Sequence, residues 1–347
     1  MNPPKISVCI PVFETERFLA QCLHSVCTQN FDSFEVVIVS DASRGKDEKG
    51  RNAKKITKLA QKDCGKIRKQ KKLPRVSFTF IENRENHGIL EVRRTLVNAA
   101  KGTYIAMIDS DDVFEDGALT ALFEASQSSE NFDIVQGGST AGSFDSEGNF
   151  SPAKENRYGK ITIGTLTGHE IFHEWAMDGN ITGVLWAKLI KRDLFFKAFE
   201  NIPFTECNMA EDFMIFFFLG LNAKGYRGIE TKVYRYRITS GVSSARKINS
   251  LHKWKMVCSA ASVFTVVSEW IKDSAQGNAE EVLLPEEINA IRKKTMIYLA
   301  NNLKQMHETV ISELQEKARA MLCEYWGAGF VEKVEKLSSS ANGVFPT

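Results

Sequence analysis

In the stretch YIAMIDSDDVF (Tyr104–Phe114) an apolar run meets a run of acids. Tyr104 to Ile108 read as a strand buried on both faces, since a short continuous apolar run suits a sheet covered on each side. The chain then sets Asp109, Ser110, Asp111 and Asp112 at the end of that strand. Adjacent carboxylates repel, and burying them without partners is costly. The stretch therefore predicts a cationic partner at the carboxyl end of a strand.

Upstream, strands and helices alternate. KISVCIPVF (5–13) reads as a strand that Pro11 ends or places at an edge, because proline has no N–H for the ladder. ERFLAQCLHSVCTQ (16–29) carries apolar residues at 18, 19, 22, 23 and 26, the spacing of an amphipathic helix. FEVVIVSD (34–41) is a β-branched second strand, and RVSFTFIEN (75–83) a third. Between them Ile56, Leu59 and Ala60 stand at helical spacing in a lysine-rich segment. GILEVRRTLVNAA (88–100) is a helix closed by Gly102, and TYIAMID (103–109) a fourth strand. The order βαβαβαβ predicts an α/β fold with a Rossmann-like, mostly parallel sheet flanked by helices. Ligands of such sheets bind at the carboxyl ends of the strands. Asp41, Asp109 and the turn from Pro11 to Glu14 lie there.

After about residue 120 the pattern changes. FDIVQGGSTAG, GKITIG and KVYRYRI read as strands, and GHEIFHEWAM and NMAEDFMIFFFLGLNA as helices. GVLWAKLIKRDLFF reads as strand into helix. From His252 the chain is mostly helical, with a broken apolar stripe of Ile288, Ile291, Leu299, Leu303, Met306, Val310, Leu314, Ala318 and Met321. That stripe is expected to pack on the rest of the chain, with a homodimer interface or a membrane contact as alternatives. The tail LSSSANGVFPT is expected to fray.

The 347 residues are 43% hydrophobic and 25% charged, enough to bury a real core. A net charge of +2 gives no global field toward nucleic acid. The charge is unevenly spread: from Arg44 to Arg75 there are 14 Lys and Arg against 3 acids. No aromatic residue interleaves those lysines, so stacking on bases is not expected. The segment 44–75 reads as a solvated helix or as an attachment to an anionic membrane surface. Cys9, Cys22, Cys27, Cys64, Cys207, Cys258 and Cys323 include no Cys-x-x-Cys pair and read as reduced thiols. The opening residues show no signal-peptide pattern. FMIFFFLGL (213–221) is too short to cross a bilayer, which needs ~20 residues. A cytoplasmic protein, soluble or peripheral on the inner face of the membrane, is expected.

Asp109 and Asp111, two apart at a strand end, can approach one ion where the backbone turns. Oxygen-only ligands suit Mg²⁺ or Mn²⁺, which commonly sit between carboxylates and substrate phosphates. The competing reading is a plain acidic loop, with Asp112 capping the following turn. ISVCIPVFETERFLAQCLHSVCTQNFDSFEVVIVSDAS, ENHGILEVRRTLVNAAKGTYIAMIDSDD and MAED, in that order, resemble the family 2 glycosyltransferases of the GT-A fold. The resemblance runs over about 5–123 apart from the basic insertion, and more loosely to 245. It implies a GT-A domain over 1–245, with a nucleotide-sugar half (1–123, insertion 44–75) and an acceptor half (124–245). A helical region, 246–347, follows.

The resemblance implies sugar transfer from a nucleoside diphosphate sugar, by family habit a UDP-sugar, to an acceptor hydroxyl with inversion. The acceptor would be a glycan or a lipid-linked glycan in a bacterial-type surface pathway. Asp111 would hold the metal, with Asp109 sharing it or touching the ribose beside Ser110. Pro11, Val12 and Glu14 match the turn around the nucleotide, Asp41 the carboxylate that accepts from the base, and Arg93 an arginine facing the nucleotide. The family commonly shows two Asp followed by Gly and Ser, whereas this chain has Ser40, Asp41, Ala42 and Ser43. Asp212 matches the general base and Glu211 an acceptor-holding or orienting acid; both also suit the start of a helix. Trp186 matches an aromatic near the acceptor and also suits a core. Arg237, with Tyr236, Ser240 and Ser243, falls on a pattern near the diphosphate. A nucleotidyltransferase of similar fold would need a glycine-rich loop after the first strand, which PVFETERF lacks. A non-catalytic nucleotide-sugar-binding protein is the remaining alternative.

Overall fold

The computed structural model describes residues 3–127, 132–156, 158–177, 179–238, 247–276 and 282–340. The chain divides into two compact units, Met1–Pro203 with Ile215–Ser240, and Phe204–Met214 with Gly241–Thr347. Sequence reading kept residues 1–245 together, whereas the structure groups 204–214 with the C-terminal helices.

The first unit opens with β1 (Ile6–Val12), α1 (Glu16–Cys27), β2 (Phe34–Asp41), α2 (Ala53–Gln70), β3 (Ser77–Asn83), α3 (Ile89–Ala99) and β4 (Tyr104–Met107). It continues through β5 (Val113–Phe114), α4 (Ala118–Ser126), β6 (Ile134–Phe144), β7 (Phe150–Pro152), β8 (Gly164–Thr167) and α5 (His169–Met177). Then come β9 (Lys188–Lys191), α6 (Arg192–Glu200), α7 (Glu211–Asn222) and β10 (Gly225–Arg237), with α7 divided between the units after Met214. One sheet runs β3-β2-β1-β4-β9-β6-β10-β5, with β7 beside β6 and β8 beside β10. Strands β1 to β4 are parallel. Strand β9 opposes both neighbours, β4 and β6, and β6 with β10 is parallel again. The sheet is thus parallel in its first half and mixed beyond.

Strands β1 and β2 are mostly apolar and buried at every position, and the buried Ser7 hydroxyl donates to Glu35 Oε1 at 2.7 Å across the pair. Leu19, Leu23 and Val26 of α1 join Ile6, Val8, Ile10, Val36 and Ile38 in one core. Pro11 is tolerated because β4 stops pairing with β1 at Cys9↔Met107 while β2 continues to Val12↔Ser40. Its missing N–H thus falls where β1 has one neighbour. At the opposite end, a Cβ on Gly102 would lie 2.6 Å from the Ser7 amide, so only glycine lets the chain enter β4 there.

Helix α2 buries Ala53, Ile56, Thr57, Cys64 and Arg68 and is capped by Asn52, which accepts from the Lys55 amide at 3.0 Å. Lys54, Lys55, Lys58, Lys62, Lys66 and Lys69 are exposed. GKITIG is not a strand before Gly164. There the Thr162 carbonyl accepts from Tyr226 Oη and the Thr162 hydroxyl donates to Glu174, so side chains replace a ladder. KVYRYRI is the end of the longer β10, whose register against β6 shifts on either side of Lys232.

The second unit adds α8 (Leu251–Cys258), α9 (Ala260–Gln276), α10 (Pro285–Thr309), α11 (Gln315–Trp326) and α12 (Ala328–Ser340) to 204–214. Trp254 is fully buried and its indole N–H donates to the Ala318 carbonyl at 2.9 Å. Of the expected stripe, Ile291, Leu299, Leu303, Met306, Val310 and Ala318 are buried. The tail expected to fray is helical through Ser340, and 341–347 lie outside the described residues. No helix among the described residues is long and apolar enough to cross a membrane.

Candidate active site

The loops leaving β1 and β2 are strapped together. Glu14 Oε1 accepts from the Arg44 amide at 2.8 Å, and the Glu14 amide donates to Ser43 Oγ at 2.7 Å. Among the described residues, positive φ without glycine occurs at Glu14 (56°), Ala42 (52°), Lys72 (55°), Ala187 (57°) and Ala210 (65°). All but Lys72 adjoin residues that sequence reading selected, and backbone strain of this kind gathers at functional sites. Ala42 stands where the resemblance led to glycine, yet keeps the left-handed conformation. That costs an L-residue ~1–2 kcal/mol, while glycine loses ~0.4–1 kcal/mol through unfolded-chain entropy. Ala42→Gly is therefore expected to stabilise by up to about 1 kcal/mol, seen as a higher urea midpoint at unchanged slope.

The acidic loop after β4 is held from two sides. Arg93, 3% exposed, reaches Asp109 Oδ1 at 3.4 Å from α3. The Asp109 amide donates to Tyr234 Oη at 3.1 Å, and Ser110 Oγ shares a hydrogen bond with Thr15 Oγ1 at 2.6 Å. Arg237 Nε donates to the Asp111 carbonyl at 2.8 Å and its Nη2 to Gln21 Oε1 at 2.7 Å. Its guanidinium also lies over the rings of Phe18 and Phe144, at 4.3 and 4.2 Å from their centroids. Asp112, 1% exposed, accepts from Tyr234 Oη (2.8 Å) and the Arg237 amide (2.7 Å), which ties the loop to the end of β10. Burial first, and then the Asp111 and Asp109 charges, push the Asp112 carboxyl well above the usual range. Arg93 and Arg237 thus stand as cationic side chains against the acidic loop.

Asp109 and Asp111 are the residues here that could hold a divalent cation. Among the described residues no group of three or more His, Cys, Asp or Glu side chains is placed to do so. A cation that keeps waters and takes phosphate oxygens needs only one or two carboxylates. The repulsion that raises Asp112 is what such a charge would relieve. The residues therefore fit Mg²⁺ or Mn²⁺ shared with a substrate.

Asp41 is placed differently from expectation, and Trp186 takes the second of its two readings. Asp41, 2% exposed, accepts from the His87 and Gly88 amides and from Asn83 Nδ2, at 2.7–3.1 Å. Its carboxylate is spent on the entry to α3, where unpaired amides attract a negative group, and is not open to a base. Trp186, 4% exposed, stacks on Tyr234 (4.6 Å) and Tyr236 (5.5 Å) inside the core, which is its packing reading. Ser240 and Ser243 lie outside the described residues. Pro11 and Val12 are buried in β1.

Sequence reading missed Gln21, Tyr234 and Glu16. The first two are polar partners set by pairings far apart along the chain. Glu16, the first residue of α1, is 1% exposed, and neither carboxylate oxygen has a hydrogen-bond partner among the described residues. It abuts Gly45, where any side chain would overlap its carboxylate. An acid opening a helix reads as a dipole partner, so no sequence signal marks it.

In the second unit, α7 begins with Glu211 and Asp212, directly after the left-handed Ala210. Glu211 is buried and Asp212 half-buried. The preceding turn is fixed by Cys207 Sγ against the Met209 carbonyl and by the Asn208 amide donating to Ser259 Oγ at 3.0 Å. Burial, and then the Glu211 and Asp212 charges, push the Cys207 thiol up.

Residues 7–186 match the family described as Glycosyl transferase family 2. Glycosyltransferase GlyA of Streptococcus pneumoniae is 26% identical over 239 residues, which are 68% of this chain and 31% of GlyA. EpsH of Bacillus subtilis is 25% identical over 239 residues, 69% of this chain and 62% of EpsH. The chain thus matches less than two thirds of either relative's length. The crystal structure of TarS 1–349 from S. aureus in complex with UDP superposes with a TM-score of 0.50 at 16% identity, covering 96% of this chain and 92% of that one.

Proposed function

Because this chain belongs to glycosyl transferase family 2, we propose that it moves a sugar, with inversion, from a nucleoside diphosphate sugar to an acceptor hydroxyl of a glycan or lipid-linked glycan. The observation that carries this reading is the Asp109–Asp111 loop at the carboxyl end of β4, braced by Arg93 and Arg237. UDP is the carrier favoured, since the fold neighbour from S. aureus was solved with UDP.

In this reading Asp111 and Asp109 would hold Mn²⁺ or Mg²⁺, which would supply positive charge against the leaving diphosphate. Arg93 and Arg237 keep the carboxylates in place, and Asp112 fixes the loop from inside. The strapped Glu14, Ser43 and Arg44 shape the wall beside the nucleotide, and Asp41 holds that wall through the His87–Gly88 backbone. Asp212 takes the proton of the acceptor hydroxyl as its oxygen attacks the anomeric carbon opposite the diphosphate. The transition state has oxocarbenium character, as in glycoside hydrolysis. The exposed lysines of α2 present charge to an anionic membrane surface, where a lipid-linked acceptor would lie.

A thermal-shift panel of UDP-, GDP-, dTDP- and CMP-sugars, each with and without Mn²⁺, tests the donor. Ligands that bind only the folded state raise Tm by mass action, by ~2.7 kcal/mol of stability at a hundredfold excess over Kd. A UDP-sugar is expected to raise Tm only with the metal. No shift with any nucleotide would overturn the reading, and a metal-independent shift would remove the cation from it.

A further inference from the structure

Helix α2 meets α1 at a pair of sulfurs. The Cys27 thiol, on the last turn of α1, faces the Cys64 thiol on α2. Cys27 Sγ also approaches the carbonyl of Ala60, one turn before Cys64, at 3.9 Å. Both residues are buried, yet both line a cavity of about 120 Å³ between the two helices. One water needs only ~10–15 Å³ of such space, so a molecule the size of a peroxide fits beside the sulfurs. His24, Arg51 and Asp63 give the cavity a polar side.

A buried cation stands beside the pair. Arg68, one turn beyond Cys64, is fully buried and donates to the backbone carbonyls of Gln29, Phe31 and Pro74. Among the described residues no carboxylate is hydrogen-bonded to it, so the guanidinium favours negative charge on a nearby sulfur. The two thiols are not equivalent. Cys64 is pulled below the usual thiol range by its interaction with the Cys27 thiol and then by Arg68, whereas Cys27 is pushed up by that interaction and by burial. Among the described residues no group of three metal-ligating side chains surrounds them.

We propose that Cys27 and Cys64 form a reversible redox pair, oxidised by a peroxide to a disulfide that staples the basic helix α2 to α1. The Cys64 thiol attacks one oxygen of hydrogen peroxide, giving a Cys64 sulfenic acid and water. The Cys27 thiol then attacks the sulfenic sulfur, forming the disulfide and releasing a second water. The net change is two thiols and one peroxide to one disulfide and two waters, and a dithiol reductant reverses it. This inference stands apart from the proposed sugar transfer. It concerns whether the lysine-bearing helix is free to move on α1.

The test uses the full chain, reduced and then exposed to a few equivalents of hydrogen peroxide. Remaining thiols are alkylated, and peptides are mapped without reduction. A Cys27–Cys64 linked peptide that dithiothreitol removes is expected, forming about tenfold or more faster than any oxidation of the more accessible Cys323. The oxidised protein should melt several degrees higher, since the crosslink restricts the unfolded chain. In Cys27→Ser, dimedone should trap a sulfenic acid on Cys64; in Cys64→Ser the peroxide-dependent change should vanish. Absence of the linked peptide when Cys323 is already oxidised overturns the proposal. So does a disulfide between other cysteines, such as Cys22 with Cys27, a measurement on the wild-type chain that needs no variant to fold.

Discussion

Asp111→Asn is expected to abolish the metal-dependent thermal shift by a UDP-sugar and to lower transfer about 10³-fold, without destabilising the ligand-free protein. The two halves have one cause. Three carboxylates follow each other closely at the end of β4, and the Asp109 and Asp111 charges help hold the Asp112 carboxyl up. Removing one charge relieves repulsion by up to about 1 kcal/mol, a modest figure because Asp111 is partly exposed and screened. The asparagine keeps the backbone carbonyl that accepts from Arg237, so the brace to β10 survives. What it lacks is a charge for a cation to bind. Loss of Lewis-acid help costs several kcal/mol, and about 4 kcal/mol corresponds to ~10³ in rate.

A purely structural role for the loop makes the opposite forecast. Asp112 is the residue with that role: it is buried and bonded to Tyr234 and to the Arg237 backbone. Substitution there should lower Tm. If Asp111→Asn lowers Tm as a loop anchor would, and leaves the nucleotide shift intact, the acids are scaffolding and the metal leaves the mechanism. Urea unfolding with and without Mn²⁺ and UDP-sugar reads both halves on the same sample.

Sequence reading reached the parallel half of the sheet because burial there is complete. A strand covered on both faces is mostly apolar, so β1, β2 and β4 announce themselves, and Pro11 marks where β1 loses a neighbour. Strand β9 lies inside GVLWAKLIKRDLFF, which reads as strand into helix, but its central place in the sheet is hidden. It lies between β4 and β6, yet begins at Lys188, whose Nζ is buried and donates to the Val184 carbonyl and Thr182 Oγ1. A lysine so satisfied is indistinguishable from a surface lysine in the sequence. The first part of β10, before KVYRYRI, is hidden by the polar run RGIETK, which coincides with its shifts of register. The site divides in the same way. The acids at strand ends are visible from pattern, but whether a carboxylate is open or consumed depends on pairings across the chain. Asp41 is consumed by amides at His87 and Gly88, and Asp112 by Tyr234 and Arg237. Trp186 takes its core reading because Tyr234 and Tyr236, two apart on β10, offer stacking rings on one face.

Asp212→Asn is expected to lower kcat by ~10²–10⁴, the usual contribution of a general base, while the nucleotide-dependent thermal shift and the acceptor KM change little. Position in a helix supplies the rival account. Acids in the first turn of a helix oppose its dipole and contribute ~0.3–1 kcal/mol each to stability, and Glu211 and Asp212 open α7. On that account the amide should cost stability and leave kcat alone. The two accounts therefore separate on a split between Tm and kcat. Glu211→Gln is the matched control: it removes the same helix-dipole partner from the same turn, and its effect on kcat should be the smaller. The strained Ala210 argues for the catalytic account. A left-handed alanine costs ~1–2 kcal/mol, and helix initiation alone gives no reason to keep one directly before the two acids. The pH profile adds an independent readout, since a carboxylate base must be ionised to accept the hydroxyl proton. Transfer by the wild type should fall on the acid side, and that limb should be missing from the residual activity of Asp212→Asn. Retained transfer with an unchanged acid limb would take Asp212 out of the chemistry and leave α7 with an ordinary N-terminus.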